Sequence, residues 1–404
     1  MVDFAGLSYS WRQAPISVEG YRRAARRKLP AMAWRYLDGG ADDHVTLQAN
    51  EQAFRRWRLR SRVLAGITAP NLSVHVAGEK LALPVVLAPI GLTGLLRWDG
   101  DVAAARAAEA AGTRLILSTG SSWSLEEVGQ AVREHHWFQL YPYGDHRKVR
   151  ELVERAAAAG FSTLFVTVDV PVRGNREGER EAGLSLPVRL TARSLLGAAA
   201  RPRWWWDIVR KKRALAIHYL QADTRGVSDA LKSVAAQDRH MQGDLKWEDL
   251  AWLRKVWRGK LYVKGILEAE DAVRCIDDIG ADGVVVSNHG GRQLDRVAAS
   301  LDALPAIVAA VGNRAEIYMD GGVRRGSDVV TALALGANAV LIGRAYAYAL
   351  AAGGERAVSD MLSILREDMR RTLILMGCPG VEALDASWIQ LADPTIKPWR
   401  TDDS

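Results

Sequence analysis

The segment VSNHGGRQLD places His289 directly beyond an apolar run and Arg292 three residues later. An imidazole titrates near neutrality and can act as a general base, while a guanidinium pairs bidentately with a carboxylate. Two other apolar runs end on groups that complete such a site. Asp169 closes FSTLFVTVD and can orient the imidazole, and Lys264, near the end of KLYVKG, is a cation suited to a developing anion. Together the four residues describe proton removal next to a bound carboxylate. Lys264 also keeps a Schiff-base aldolase open, because barrel folds place such lysines at strand ends.

For these side chains to meet, the runs that carry them must lie side by side. Eight short apolar runs recur along the chain, at 84–91, 114–122, 136–141, 161–169, 260–265, 282–291, 315–322 and 338–344. Ala-rich helical stretches alternate with them, among them 101–112, 149–160, 268–280 and 327–336, each ending on a glycine suited to a left-handed cap. Alternating strands and helices imply a parallel sheet, and eight such units imply an α/β fold of the (β/α)8 TIM-barrel type. A dinucleotide-binding open sheet would carry G-x-G-x-x-G after its first strand, where this chain reads APIGLTG. The expected organisation is an N-terminal helical extension over 1–83, the barrel over 84–380 and a tail over 381–404. A long insertion at about 178–245 follows strand four, on the face where the strands end.

That face is where barrel chemistry sits, and the strand ends deliver Ser118, Thr119, Gln139, Tyr141, Thr167, Asp169, Lys264, Ser287, His289, Asp320 and Arg344. After strands seven and eight come DGGVRRG and LIGRA. Their glycines, with Arg324 and Arg344, suit a phosphate held on backbone N–H groups and helix N-termini.

The 404 residues are 49% hydrophobic and 25% charged, which excludes a disordered or fibrous chain. Cys275 and Cys378 stand far apart, so neither a disulfide framework nor a structural zinc site is expected, and no metal is assigned. The sequence has no run of eighteen apolar residues and no secretory pattern at its start, so any membrane contact is expected to be peripheral. The net charge of +7 has a local source. Within the insertion, RPRWWWDIVRKKR holds six basic residues against one acid, beside Trp204, Trp205 and Trp206. Read as a helix, Trp204, Ile208, Leu215 and Tyr219 share a stripe. Such a basic amphipathic segment suits an anionic bilayer surface; nucleic acid is not expected as a partner, and packing on a neighbouring subunit is the other reading.

The motifs KLPAMAWRYLDGGADD, FQLY, TVDVPVRGNRE, VKG, SNHGGRQLD, DGGVRRGSDV and ALALGANAVLIGR, in this order between about Tyr21 and Cys378, resemble the FMN-dependent 2-hydroxy acid oxidising family. APIGLTG, RPRWWWDIVR, WEDLAWLRKVW and LMGCPGVEAL resemble its mandelate dehydrogenase branch. The resemblance implies FMN as cofactor, a small 2-hydroxy carboxylic acid as substrate, and a quinone or other electron acceptor. The competing reading within the family is an oxidase that uses O2 and forms hydrogen peroxide. By position, Tyr36 and Tyr141 would bond the substrate, Arg176 and Arg292 would clamp its carboxylate, and His289, held by Asp169, would be the base. Lys264 would lie beside the N1–C2 edge of the flavin. Ala88, Pro89, Ile90 and Gly91 would pass beneath its ring, with Ser118, Gln139 and Thr167 on its polar edge and Ser287 near the ribityl chain. Asp320, Gly322, Arg324, Gly343 and Arg344 would take the ribityl chain and phosphate. Glycine at 91, where several oxidases have alanine, favours a dehydrogenase. The resemblance also makes the insertion a membrane anchor, with the protein peripheral on the cytoplasmic side of the cell membrane, and a homotetramer is expected.

Overall fold

The computed structural model describes residues 14–133, 136–142, 145–184, 201–211 and 245–392. All eight runs form strands: β1 Val85–Leu87, β2 Ile116–Ser118, β3 Trp137–Leu140, β4 Thr163–Thr167, β5 Lys260–Ile266, β6 Gly283–Val286, β7 Glu316–Asp320 and β8 Ala339–Ile342. Each pairs in parallel with its neighbours from β2 through to β8, and β8 pairs with β1. The ring closes where Leu87 bridges Leu115, the Leu87 N–H donating to the Arg114 carbonyl at 2.9 Å.

The helices are α1 Val18–Lys28, α2 Ala31–Asp38, α3 Val45–Arg55, α4 Gly100–Ala110, α5 Leu125–Ala131, α6 His146–Ala158, α7 Glu177–Glu181, α8 Pro202–Lys211, α9 Trp247–Val256, α10 Ala269–Asp277, α11 Ser300–Val311, α12 Gly326–Ala334 and α13 Arg344–Met376, the last broken at Gly354. The glycines that close the four stretches named from sequence, Gly112, Gly160, Gly280 and Gly336, all have positive φ.

Side chains alternate across a strand, so each strand gives one set to the helices and one to the barrel interior. Leu117, Phe138, Val166, Val263, Val284 and Ile342 pack outward against the helical layer. Val86, Ile116, Trp137, Phe165, Tyr262, Val285, Tyr318 and Leu341 fill the interior. Trp137, Phe165, Tyr262 and Tyr318 stack there with ring centroids 4.9–5.5 Å apart between successive members. A hairpin, Val74–Val76 with Glu79–Leu81, closes the end away from the site: Val76, Ala77 and Leu81 join the interior cluster, and the Ala77 N–H donates to Glu316.

Two residues beyond each interior side chain, the alternation aims another one inward at the C-terminal mouth. That register yields Ala88, Ser118, Gln139, Thr167, Lys264, Ser287, Asp320 and Gly343. The polar ring is thus a consequence of period two applied to eight apolar strands. The segments outside the strands are tied together as well, since Trp57–Leu59 pairs antiparallel with Ile389–Leu391. Of the insertion, residues 178–184, 201–211, which hold α8, and 245 are described. Leu215 and Tyr219 lie outside the described residues.

Candidate active site

A cavity opens at the mouth of the barrel. Tyr36, Tyr141, Arg176, His289 and Arg292 line it on one side, and Lys264 reaches it from β5. Ala88, Pro89, Ile90 and Gly91 form a wall from the turn after β1, with Ser118 and Thr167 alongside. Asp320, Gly322, Arg324, Gly343 and Arg344 line the far end. Three of the other residues expected from sequence stand one layer back. Asp169 contacts His289, Ser287 contacts Lys264, and Gln139 contacts Ser118.

His289 has a φ of 58°, in the left-handed region, at the sharp turn after β6. Two bonds hold it in that conformation. Its N–H donates to Ser287 Oγ at 3.0 Å, and its Nδ1 stands 3.0 Å from Asp169 Oδ1. With Asp169 accepting at Nδ1, the proton sits on that nitrogen and Nε2 is left as the basic atom. Burial pushes the imidazole pKa below its usual 6.5, and Lys264 and Arg176 push the same way against the pull of Asp169. Gly265 makes the approach possible: its φ is 111°, and a Cβ there would lie 2.6 Å from Asp169 Cβ.

The Lys264 ammonium donates to Ser287 Oγ at 2.6 Å and pairs with Asp320 Oδ2 at 2.7 Å. An ion-paired ammonium has no lone pair to attack a carbonyl, which counts against the aldolase reading.

Tyr36 OH donates to the Gly91 carbonyl at 2.7 Å, tying α2 to the turn after β1. Its ring lies 5.1 Å from the Arg292 guanidinium. Arg292 is already engaged on both Nη groups: Nη1 donates to the carbonyls of Tyr36 and Gly39, and Nη2 to Glu179 Oε1 at 2.8 Å. Arg176 donates through Nε to the Arg292 carbonyl and through Nη2 to Gln293 Oε1. Burial, then the neighbouring Arg292, press the Arg176 pKa down to about 9. Two guanidinium groups held together in a buried pocket favour an anion between them.

At the far end Gly322 has a φ of 82°, and a Cβ there would lie 2.0 Å from the Asn50 carbonyl oxygen of α3. Arg344 donates to the Gly290 and Gly39 carbonyls, and Arg324 to Glu51. Among the described residues, several buried polar atoms at or behind the cavity have no hydrogen-bond partner, among them Gln139 Nε2, Thr167 Oγ1, Asp320 Oδ1 and Arg344 Nε. All four residues belong to the set read from sequence for a cofactor. Buried polar atoms are ordinarily satisfied, so a row of orphans around one cavity marks the place of a polar ligand.

Sequence reading missed several residues here. Arg173, Val170 and Leu184 line the cavity, while Glu179 and Gln293 stand behind it. Gln293 donates to the carbonyls of Asp169 and Val172 and accepts from Gly174 and Arg176, joining the loop after β4 to that after β6. Its adjacency to Arg292 was the one available signal. Glu179 lay in a charged stretch with no periodicity to set it apart.

Residues 25–391 match the family of FMN-dependent dehydrogenases. The chain is 40% identical over 376 residues to (S)-mandelate dehydrogenase of Pseudomonas putida, covering 93% of this chain and 94% of that protein. It is 45% identical over 372 residues to L-lactate dehydrogenase of Caulobacter vibrioides, covering 91% and 96%. The crystal structure of the monotopic membrane protein (S)-mandelate dehydrogenase superposes with a TM-score of 0.88 at 38% identity, covering 94% of this chain and all of that one.

Proposed function

Because this chain belongs to the FMN-dependent dehydrogenase family, we propose that it oxidises an (S)-2-hydroxy acid, mandelate-like or lactate-like, to the 2-oxo acid and passes the electrons to a membrane quinone. The observation that carries the reading is His289, fixed by Asp169 at Nδ1 and lining a cavity that two arginines make receptive to a carboxylate.

The residues present fit FMN. Gln139 Nε2 and Thr167 Oγ1 offer bonds to the polar edge of a flavin, Asp320 Oδ1 suits a ribityl hydroxyl, and Arg344 Nε with Arg324 suits the phosphate. Ala88, Pro89, Ile90 and Gly91 present a wall against which a flat ring can lie. FMN, when bound, supplies the two-electron acceptor that no side chain of the site provides.

The substrate carboxylate is held by the remaining N–H groups of Arg176 and Arg292, with Tyr36 and Tyr141 beside it. This fixes the hydroxyl-bearing carbon against His289. Two electrons and two protons must leave the CH–OH group, and one proton goes to Nε2, whether it departs from carbon or from oxygen. Asp169 then faces an imidazolium and offsets its charge. Lys264, fixed by Asp320 and Ser287, is a standing positive charge that offsets negative charge developing in the cavity.

Location follows from the insertion. No helix among the described residues is long and apolar enough to cross a membrane. On α8 the Trp204 indole donates inward to the Leu95 carbonyl at 2.8 Å, while Trp206 is 64% exposed. Docked on one side and carrying an exposed indole among basic residues, the helix suits the headgroup layer of an anionic leaflet. We place the protein peripherally on the cytoplasmic face of the membrane, as a homotetramer.

The oxidase reading has one point of contact with the geometry. A Cβ at Gly91 would lie 3.3 Å from the Gly120 carbonyl oxygen, so the alanine that several oxidases carry there would need the loop after β2 to give by a few tenths of an ångström. The deciding experiment is anaerobic bleaching of the flavin by lactate, glycolate, mandelate and longer 2-hydroxy acids, followed by reoxidation with a quinone or with O2. Bleaching and rapid quinone reoxidation are expected. Stoichiometric peroxide with no quinone reaction would establish the oxidase instead, and no bleaching by any 2-hydroxy acid would end both readings.

A further inference from the structure

Gln293 is buried and stands behind the cavity wall rather than in it. Both ends of its amide are used. Oε1 accepts from the Gly174 N–H at 3.2 Å and from Arg176 Nη2 at 3.0 Å, while Nε2 donates to the Asp169 carbonyl at 3.1 Å and the Val172 carbonyl at 2.9 Å. Two donors on one side and two carbonyls on the other fix which way round the amide lies. Among side chains of this length, only an amide offers an acceptor and two N–H donors without a charge.

The surrounding contact is close. A Cβ at Gly174 would collide with the Arg292 carbonyl oxygen and lie 2.8 Å from Gln293 Cα, and Arg176 Nε donates to that same carbonyl at 3.1 Å. The loop after β4 thus lies backbone to backbone on the loop after β6. Four working groups are divided between them, Asp169 and Arg176 on the first, His289 and Arg292 on the second.

Building on the hydroxy-acid reading above, we propose that Gln293 is a positioning residue for the oxidation, holding the Asp169 backbone with its donor side so that the carboxylate meets His289, and orienting the Arg176 guanidinium with its acceptor side without adding a charge there. It acts through Asp169 and Arg176. Gln293→Glu separates the two sides. A carboxylate still accepts from Gly174 and Arg176, gives nothing to the carbonyls of Asp169 and Val172, and is kept ionised by the guanidinium beside it. The exchange adds one negative charge at one place, so the direction of its effect is independent of the other charges in the cavity: an anion at Arg176 is held less firmly, and a neutral ligand is not. Gln293→Met has similar length, carries no charge and makes none of the four bonds.

The test uses the full-length FMN-loaded protein and two probes without a hydroxyl to oxidise, propionate and propionamide, titrated by the change in flavin absorbance. The wild type is expected to favour propionate. Gln293→Glu should cut that preference about tenfold or more, and Gln293→Met should cut it less. Both variants should slow anaerobic bleaching at saturating lactate, because each releases the Asp169 backbone. His289 is faced by Asp169, Lys264 and Arg176, and the two cations press its pKa down. With Arg176 offset, the acid limb of bleaching should move to higher pH in Gln293→Glu. A merely structural role would reverse the order of the two variants, since Gln293→Met loses more bonds, and would leave the acid limb in place. An unchanged preference in Gln293→Glu, a larger loss of preference in Gln293→Met, an acid limb that stays or falls in Gln293→Glu, or normal bleaching in both variants would each overturn the proposal. If Gln293→Glu fails to load FMN, Gln293→Met decides, and a normal saturated bleaching rate with normal propionate affinity overturns it. Loss of the hydroxy-acid reading is a separate outcome, since it shows as absent bleaching of the wild type by every 2-hydroxy acid and leaves the probe preferences to stand or fall alone.

Discussion

His289 combines a left-handed backbone, an N–H held by Ser287 and an Nδ1 held by Asp169, so its orientation is fixed before any ligand arrives. His289→Gln keeps a polar side chain but removes the base. FMN should stay bound while anaerobic bleaching slows by about 10²-fold or more, and near-normal bleaching would remove His289 from the role. The pH dependence has a defined sign. The base works when neutral and its pKa is depressed below 6.5, so the bleaching rate should be level at neutral pH and fall as pH drops through that depressed value. Asp169→Asn takes away the carboxylate that pulls this pKa upward, so the acid limb should move to still lower pH while the plateau drops. An acid limb centred above 6.5 would contradict the geometry. Arg292→Lys preserves charge but loses the planar group that bonds Tyr36, Gly39 and Glu179 at once. KM should rise and kcat fall together, and oxidation of hydroxy esters as readily as hydroxy acids would show that no carboxylate is clamped.

At the scale of elements, the sequence was most legible where a period governs it. Eight apolar runs with alternating faces named the strands, and the same alternation placed Ser118, Gln139, Thr167, Lys264, Ser287 and Asp320 in one ring. What could not be read were contacts between elements distant in sequence and without periodicity. Glu179 acquires its meaning from Arg292, 113 positions away, and Gly174 N–H meets Gln293 across 119. Asn50 is a further case: it comes from the helical extension, yet its carbonyl closes over Gly322. That contact yields a paired prediction. Gly322→Ala forces a Cβ to 2.0 Å from a backbone oxygen at a positive φ, a strain of about 1–3 kcal/mol before any clash is relieved. It should lower the melting temperature of the flavin-free protein and abolish FMN retention. At Gly343 a Cβ would meet nothing nearer than Ala88 Cβ at 3.9 Å, so Gly343→Ala should leave the melting temperature of the flavin-free protein in place and weaken FMN alone, by filling its space. Equal effects of the two substitutions on the flavin-free protein would show that Asn50 does not brace this turn.

Across the whole molecule, the catalytic ring and the basic tryptophan-bearing segment are separate devices, and among the described residues Trp204 joins them, its indole donating to the Leu95 carbonyl. Leu95 belongs to the loop that leaves the Ala88–Gly91 wall, and Leu92 of that loop lines the cavity. The chemistry at His289 needs nothing from α8, whereas delivery of electrons to a quinone dissolved in lipid needs the cavity held close to the bilayer. Each basic residue near an anionic surface contributes roughly 1 kcal/mol, and buried indoles add a part that salt does not screen. The intact protein should therefore float with anionic liposomes and stay attached in moderate salt. Replacing residues 197–220 by a short polar linker should release it, with bleaching by substrate retained and quinone reduction in membranes lost. Trp204→Phe is the finer test, because it keeps the apolar bulk and deletes the bond to Leu95: attachment should persist, and any change should appear in substrate KM through the loop that carries Leu92. Should the intact protein stay wholly in the soluble fraction and fail to float, the segment is an intersubunit or lid element, and the electrons leave for an acceptor that comes to the protein from solution.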